Sequence, residues 1–165
     1  VYRRASSAMQ KVLNQEWEKR DPNLPLKSPY DLLILASIVE KETGRSEDRG
    51  KVAAVFLNRL QKGMPLQTDP TVIYGIGPRF DGNLRKADLR RDNPYNTYMH
   101  KGLPPTPIAM PSRESILAVL HPVRSSALYF VAKGDGSSHF SSTLGEHVKA
   151  VDRYQRKAFS KVDQH

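Results

Sequence analysis

Most of the chain carries apolar residues at the three-to-four spacing of a helix, and one short stretch switches to the alternation of a strand. Met9, Val12, Leu13 and Trp17 predict an amphipathic helix ending before Asp21-Pro22. Asn23 to Lys27 reads as a connector. A second helix is expected from Ser28, where Ser28-Pro29-Tyr30-Asp31 supplies an N-cap, a proline in the first turn and an acid at the capping-box position. It continues through Leu32-Leu33-Ile34-Leu35-Ala36-Ser37-Ile38-Val39-Glu40-Lys41-Glu42, apolar on nearly every side, as for a helix driven through a core. Glu47 to Lys62 predicts a third helix, with Val52, Val55, Phe56 and Leu60 on one face and Gly63 placed to end it.

Met64 to Asp69 must turn, and Pro70 opens a short helix capped by Asp69. Gly75, Gly77, Pro78, Asp81 and Gly82 then break regular structure until Leu84. From Asp92 to Pro111 the prolines and Gly102 forbid a long helix or an inner strand, while Tyr95, Tyr98 and Leu103 give this loop something to pack. Ser112 caps a helix carrying Ile116, Leu117, Val119 and Leu120, ended by His121-Pro122. The period then changes. Ala127 to Ala132 reads as a strand, Gly134-Asp135-Gly136-Ser137 as a turn, and His139-Phe140-Ser141 as the return strand of a β-hairpin. Thr143-Leu144-Gly145-Glu146 is a capping box opening a last helix with Val148, Val151 and Tyr154 inward. The expected fold class is α+β, mainly α, with one small antiparallel β-hairpin and no internal repeat.

At 165 residues the chain fits one compact domain that builds its core without staples. It has no cysteine, which excludes disulfides, thiolate metal sites and cysteine nucleophiles but leaves the compartment open. No apolar run approaches the roughly 18 to 20 residues of a membrane span. The start, Val1-Tyr2-Arg3-Arg4, has neither Met nor a signal pattern and reads as that of a fragment from something longer. A net charge of +9 favours a polyanionic environment: nucleic acid, anionic lipid headgroups or an acidic wall polymer. The densest basic group, Arg85, Lys86, Arg90 and Arg91, has no nucleic-acid motif beside it and reads as a solvated face. His100, His121, His139, His147 and His165 lack metal-ligand spacing, so neither a metal nor another cofactor is expected. No serine sits in a nucleophile elbow, and Gly75-Ile76-Gly77 is followed by Pro78 rather than the helix a phosphate loop needs.

Glu40 and Glu42 end the apolar second helix at different phases. At about 100° per residue, the apolar resultant of Leu32 to Val39 lies about 50° from Glu42 and about 110° from Glu40. Glu42 therefore faces inward more. A carboxyl group on the rim of an apolar face loses hydration, and its raised pKa suits a general acid. The plainer alternative is a frayed helix end with two solvated acids. Asp69 most simply caps the next helix, whereas Gln67 has no local duty and offers an amide donor and acceptor to a sugar. Asn93-Pro94-Tyr95-Asn96-Thr97-Tyr98 is either a turn with packing tyrosines or the aromatic-and-amide lining of a saccharide cleft.

Taken together, Leu35 to Thr43, Val55-Phe56-Leu57-Asn58-Arg59-Leu60, Gly63 to Gly75 and Tyr95-Asn96-Thr97-Tyr98 closely resemble the MltG (YceG-like) family of endolytic murein transglycosylases. The resemblance covers about Ser28 to Tyr154. It implies a lysozyme-like catalytic domain at residues 28–165, preceded by the helix and connector at 1–27, the whole forming one compact unit. The broader transglycosylase pattern is a catalytic Glu followed by Ser, a Gly-Leu-Met-Gln segment and an Ala-Tyr-Asn segment. Glu42-Thr43, Gly63 to Gln67 and Tyr95-Asn96 occupy that order. Related spore-cortex lytic enzymes have a Glu followed eight residues later by Gly, then Val-Ala and Leu-Asn-Arg, matched here by Glu42, Gly50, Val52-Ala53 and Leu57-Asn58-Arg59. Both comparisons select Glu42 over Glu40. Thr43 in place of Ser, and Pro65 within the glutamine segment, depart from the pattern.

The resemblance implies an enzyme that cuts the MurNAc-GlcNAc bond of nascent peptidoglycan strands and leaves 1,6-anhydroMurNAc ends. Glu42 would act as acid and then base, with Gln67, Thr68, Tyr95, Asn96, Thr97 and Tyr98 holding sugar and Glu40 and Asp69 in support. It also implies a single-pass anchor in the inner membrane, through an N-terminal segment outside this chain, with the catalytic part in the periplasm or outside the cytoplasmic membrane. The implied partners are glycan strands and cell-wall synthases such as penicillin-binding proteins, not nucleic acid. Three rivals stay open: a hydrolytic muramidase using Glu42 and Asp69, a non-catalytic glycan-binding scaffold, and a basic nucleic-acid binder.

Overall fold

The computed structural model describes residues 2–42 and 45–162, with side chains within 7–42 and 45–155. Thr43 lies outside them. Seven α-helices occur among the described residues: α1 (Tyr2–Trp17), α2 (Pro29–Glu42), α3 (Arg49–Lys62), α4 (Asp69–Ile76), α5 (Lys86–Arg90), α6 (Arg113–Leu120) and α7 (Leu144–Val162). Strands β1 (Tyr129–Ala132) and β2 (Ser138–Ser141) pair antiparallel, with Phe130 opposite Phe140 and Val131 opposite His139. The fold is α+β and mainly α, as the hydrophobic periods predict.

Helix α2 is the central element because its sequence leaves it no polar face until its end. Leu32, Ile34, Leu35, Ala36, Ile38 and Val39 are buried, and α1, α3, α4 and α6 pack around it. Ser28 caps it, its hydroxyl accepting from Asp31 N at 3.2 Å, while Asp31 accepts from Lys27 N at 3.0 Å. Buried Ser37 accepts from Ile108 N at 3.0 Å and so moors the proline-rich loop to the core. Leu13, Trp17 and Leu26 join the same hydrophobic cluster, which is thus continuous across residue 28. Phe56 meets Phe130 edge-on at 5.9 Å, and this contact seats the hairpin on α3.

Several local expectations change. Gly75 does not break α4 but lies inside it, where an added Cβ would fall 2.7 Å from Asn93 Oδ1. Close approach, rather than chain reversal, is what this glycine provides. Gly63 does end α3, at φ 69°. Residues 86–90 form a helix that the hydrophobic pattern did not reveal, because α5 buries no residue and shows no apolar face to read. Its end residues Lys86 and Arg90 and the flanking Arg85 and Arg91 are exposed. On α7, Val148 is 52% exposed, and Ala150 takes the inward place expected of it.

Candidate active site

The last turn of α2, the 64–69 turn, β1 and α7 enclose a groove of about 510 Å³. Glu42, Gln67, Thr68, Asp69 and Tyr98 line one wall, and Tyr129, Phe130, Val131, His147 and Val151 line the other, with Arg59 bordering the same space. Glu42 is partly buried there. Glu40 is not among the lining residues. Its Oε2 instead accepts from the Ser112 hydroxyl at 2.8 Å, Ser112 N at 3.3 Å and the Ser115 hydroxyl, tying α2 to the start of α6. Those bonds hold the Glu40 carboxyl below its ordinary pKa. Burial, by contrast, pushes Glu42 up; the negative charge of Asp69 adds to the rise, and a hydrogen bond from Thr68 opposes it.

That hydrogen bond is the end of a buried threonine network. Thr68 Oγ1 donates to Glu42 Oε1 at 2.8 Å, Thr68 N donates to Thr97 Oγ1 at 3.0 Å, and Thr71 Oγ1 donates to Thr68 O at 2.9 Å. Thr71 and Thr97 share a further hydroxyl contact of 2.9 Å. Thr68 is only 2% exposed, so its hydroxyl has little freedom to turn away from the carboxyl group. The neighbouring Gln67 adopts φ 50°, a left-handed conformation uncommon outside glycine. Its N–H donates to Thr97 O at 3.2 Å, while its side-chain amide has no hydrogen-bond partner among the described residues and borders the groove. Backbone strain of this kind persists where surrounding contacts enforce it, here beside a candidate reacting group.

Asp69 does not cap α4 with its side chain. It is the first residue of the helix, Thr68 holds the N-cap position without a side-chain capping bond, and Asp69 Oδ1 accepts from the Tyr98 hydroxyl at 2.5 Å. Burial, and then that bond, push the Tyr98 phenol up strongly. Tyr95, Asn96 and Thr97 lie behind this wall rather than on it. Tyr95 packs on Tyr74 with ring centroids 4.9 Å apart, and its hydroxyl bonds Thr106 at 2.8 Å. Asn96, 1% exposed, donates from Nδ2 to Leu89 O and Arg91 O and accepts at Oδ1 from Tyr98 N. Its amide is fully spent on the loop.

Sequence reasoning missed the second wall. Arg59 signalled itself only within the Leu57-Asn58-Arg59 motif, and Tyr129 and His147 carried no local signal beyond their elements. In the structure their rings stack at 4.9 Å. Burial, then the Arg59 and His139 charges, lower the pKa of His147.

The model of the YceG-like family matches residues 1–153. The chain belongs to the YceG-like family. It is 50% identical over 127 residues to an endolytic murein transglycosylase of Bacillus subtilis (strain 168), covering 77% of this chain and 35% of that protein. It is 33% identical over 164 residues to one of Streptococcus pneumoniae serotype 2, covering 88% of this chain and 29% of that protein. The crystal structure of a putative YceG-like protein from Listeria monocytogenes superposes with a TM-score of 0.68 at 46% identity, over 74% of this chain and 39% of that one. The chain thus spans about a third of the length of these YceG-like relatives.

Proposed function

We propose that this YceG-like chain is the lysozyme-like catalytic part of an endolytic peptidoglycan lytic transglycosylase, cutting the MurNAc-GlcNAc β-1,4 bond. The observation that carries the reading is the contrast between the groove's two acids. Glu42 has a raised pKa and, among the described residues, one side-chain hydrogen bond, from Thr68, whereas Asp69 is engaged by Tyr98. One free proton carrier suits a reaction that needs no second carboxylate, unlike the two-carboxylate chemistry of hydrolytic glycosidases.

In this mechanism Glu42 gives its proton to the glycosidic oxygen as the bond to C1 breaks. The resulting carboxylate then takes the proton of the C6 hydroxyl, whose oxygen closes on C1 to form the 1,6-anhydro ring. Glu42 ends protonated and no water is consumed. Gln67 and Tyr98 contact the sugar from the wall they line, while Tyr95, Asn96 and Thr97 hold that wall in place. Membership in the family further suggests anchoring at the outer face of the cytoplasmic membrane, beside cell-wall synthases.

Mass spectrometry of products from purified, uncrosslinked strands tests the reading. Each cut is expected to leave a 1,6-anhydroMurNAc end, lighter by one water than a reducing end and resistant to borohydride. Asp69→Asn should keep that product and move the alkaline limb of the rate profile to lower pH, since it removes the charge that raises the Glu42 pKa. Reducible MurNAc ends, with activity lost in a folded Asp69→Asn protein, would make the chain a two-carboxylate hydrolase instead.

Thr68 supplies a second test. Its hydrogen bond lowers the Glu42 pKa. Thr68→Val keeps the shape of the side chain but removes that bond, so the protonated form of Glu42 survives to higher pH. The falling limb of kcat/KM should shift alkaline, and kcat should drop because the carboxyl group loses its anchor. An unshifted limb would mean that Glu42 is not the titrating acid.

A further inference from the structure

Arg59 is a charge that the mechanism above leaves unused. It is 7% exposed; burial lowers its pKa, yet a guanidinium keeps its charge in proteins. A cation in such a place is costly unless it is countered. Its contacts are all neutral: Nε donates to Leu128 O at 2.7 Å, Nη1 donates to Pro65 O at 2.8 Å, and the Tyr129 ring centre lies 5.0 Å from Cζ. No carboxylate lies within ion-pair distance of it among the described residues. Nη2 has no hydrogen-bond partner among the described residues either, yet it is not sealed from solvent, and the space that Arg59 borders is the groove. Arg59 and Glu42 border the same groove, and the charge of Arg59 acts on Tyr98 and His147 in its walls.

We infer that Arg59 is an anion-recognition residue whose open guanidinium edge takes a carboxylate carried by the bound glycan strand. The inference rests on the transglycosylase reading and deepens it by naming what the groove recognises besides sugar. The sugar rings of murein are neutral. Its carboxylates lie on the lactyl group of the muramyl residue or on the peptide attached there, so the ligand is that substituent. A planar fork matched to a carboxylate explains arginine here better than lysine does. An anion site in this wall also explains why the fold places a cation beside Phe56 and Phe130 with no carboxylate for it among the described residues.

The test compares native glycan strands with strands whose carboxylates have been converted to primary amides by carbodiimide and ammonia. Wild-type protein should cut the amidated strands with kcat/KM about tenfold lower, the loss of one charge-assisted hydrogen-bonded contact. The ratio should persist at high salt, which screens long-range attraction between the basic surface and the strand but not a buried contact. Arg59→Gln should bring the ratio near one, Arg59→Lys should keep part of it, and Lys86→Gln on exposed α5 should keep all of it. If Arg59→Gln fails to fold, Arg59→Lys decides: a ratio as large as the wild type's at high salt would overturn the assignment to Arg59. Equal cutting of both strands by the wild type would overturn this inference alone, leaving Arg59 a strut between α3 and β1. No cutting of either strand would overturn the transglycosylase reading and this one with it.

Discussion

Glu42→Gln is expected to fold normally and to lose strand cleavage by about 10³-fold, the scale of a positioned general acid and base. Glutamine matches the shape of glutamate and still accepts the Thr68 hydroxyl through its amide oxygen, but it cannot release and recover a proton. The substitution should also be at least as thermostable as the parent at neutral pH. Burial raises the folded pKa of Glu42, so its ionisation is penalised in the native state. That penalty is absent below the unfolded pKa, grows as pH rises toward the folded pKa, and is complete above it. The stability advantage of Glu42→Gln should therefore shrink as pH is lowered through that window. Glu40→Gln is the control. Its carboxyl is held low by Ser115 and Ser112, so its contribution is present above the unfolded pKa and lost as pH falls through the folded one. Losing that charge should cost about 1 kcal/mol, below the ~1.5–3 kcal/mol usual for hydrogen bonds to a charged group because the site borders solvent, and leave kcat nearly intact. Thermal melts across pH and product assays on both variants check the pair; an active, folded Glu42→Gln protein would end the single-acid mechanism.

Asn96→Ala should be the most destabilising polar truncation near the groove, at ~3 kcal/mol. The change leaves Leu89 O, Arg91 O and Tyr98 N without their partners in a partly buried loop. For a domain of this size the melting temperature should fall by about 10 °C. Activity measured well below the melt should fall through kcat as well as KM, because the loop carries Thr97 behind Thr68 and Tyr98 beside Asp69. If Asn96 instead acted chiefly by touching sugar, KM would rise while the melt stayed put. Calorimetry beside steady-state kinetics separates the two.

Glu42 and Glu40 were separable in the sequence because helical phase is a local, periodic property, and the structure sends one to the groove and the other to α6. The hairpin and the capping box before α7 were legible for the same reason, with Glu146 N donating to Thr143 Oγ1 at 3.2 Å. Partner choice among polar side chains was not. Asp69 has the sequence of a cap, yet its carboxylate bonds a tyrosine from another loop, and Thr68 spends its hydroxyl on a carboxyl group far away in the chain. Asn96 illustrates the same limit: an amide beside tyrosines reads alike whether it faces sugar or three backbone groups. The second wall escaped because its residues gain meaning only from being folded opposite Glu42.

That two-walled construction has a consequence for how the protein is made. The principal core cluster draws its buried members from Leu13 through Leu120, whereas β1 and α7, which complete the groove, follow at Tyr129 and Leu144. A chain emerging from its N-terminus has all the residues of that buried cluster before it has a second wall. The residues of the core and those of the second wall therefore emerge in succession, and the groove is complete only once β1 and α7 have followed.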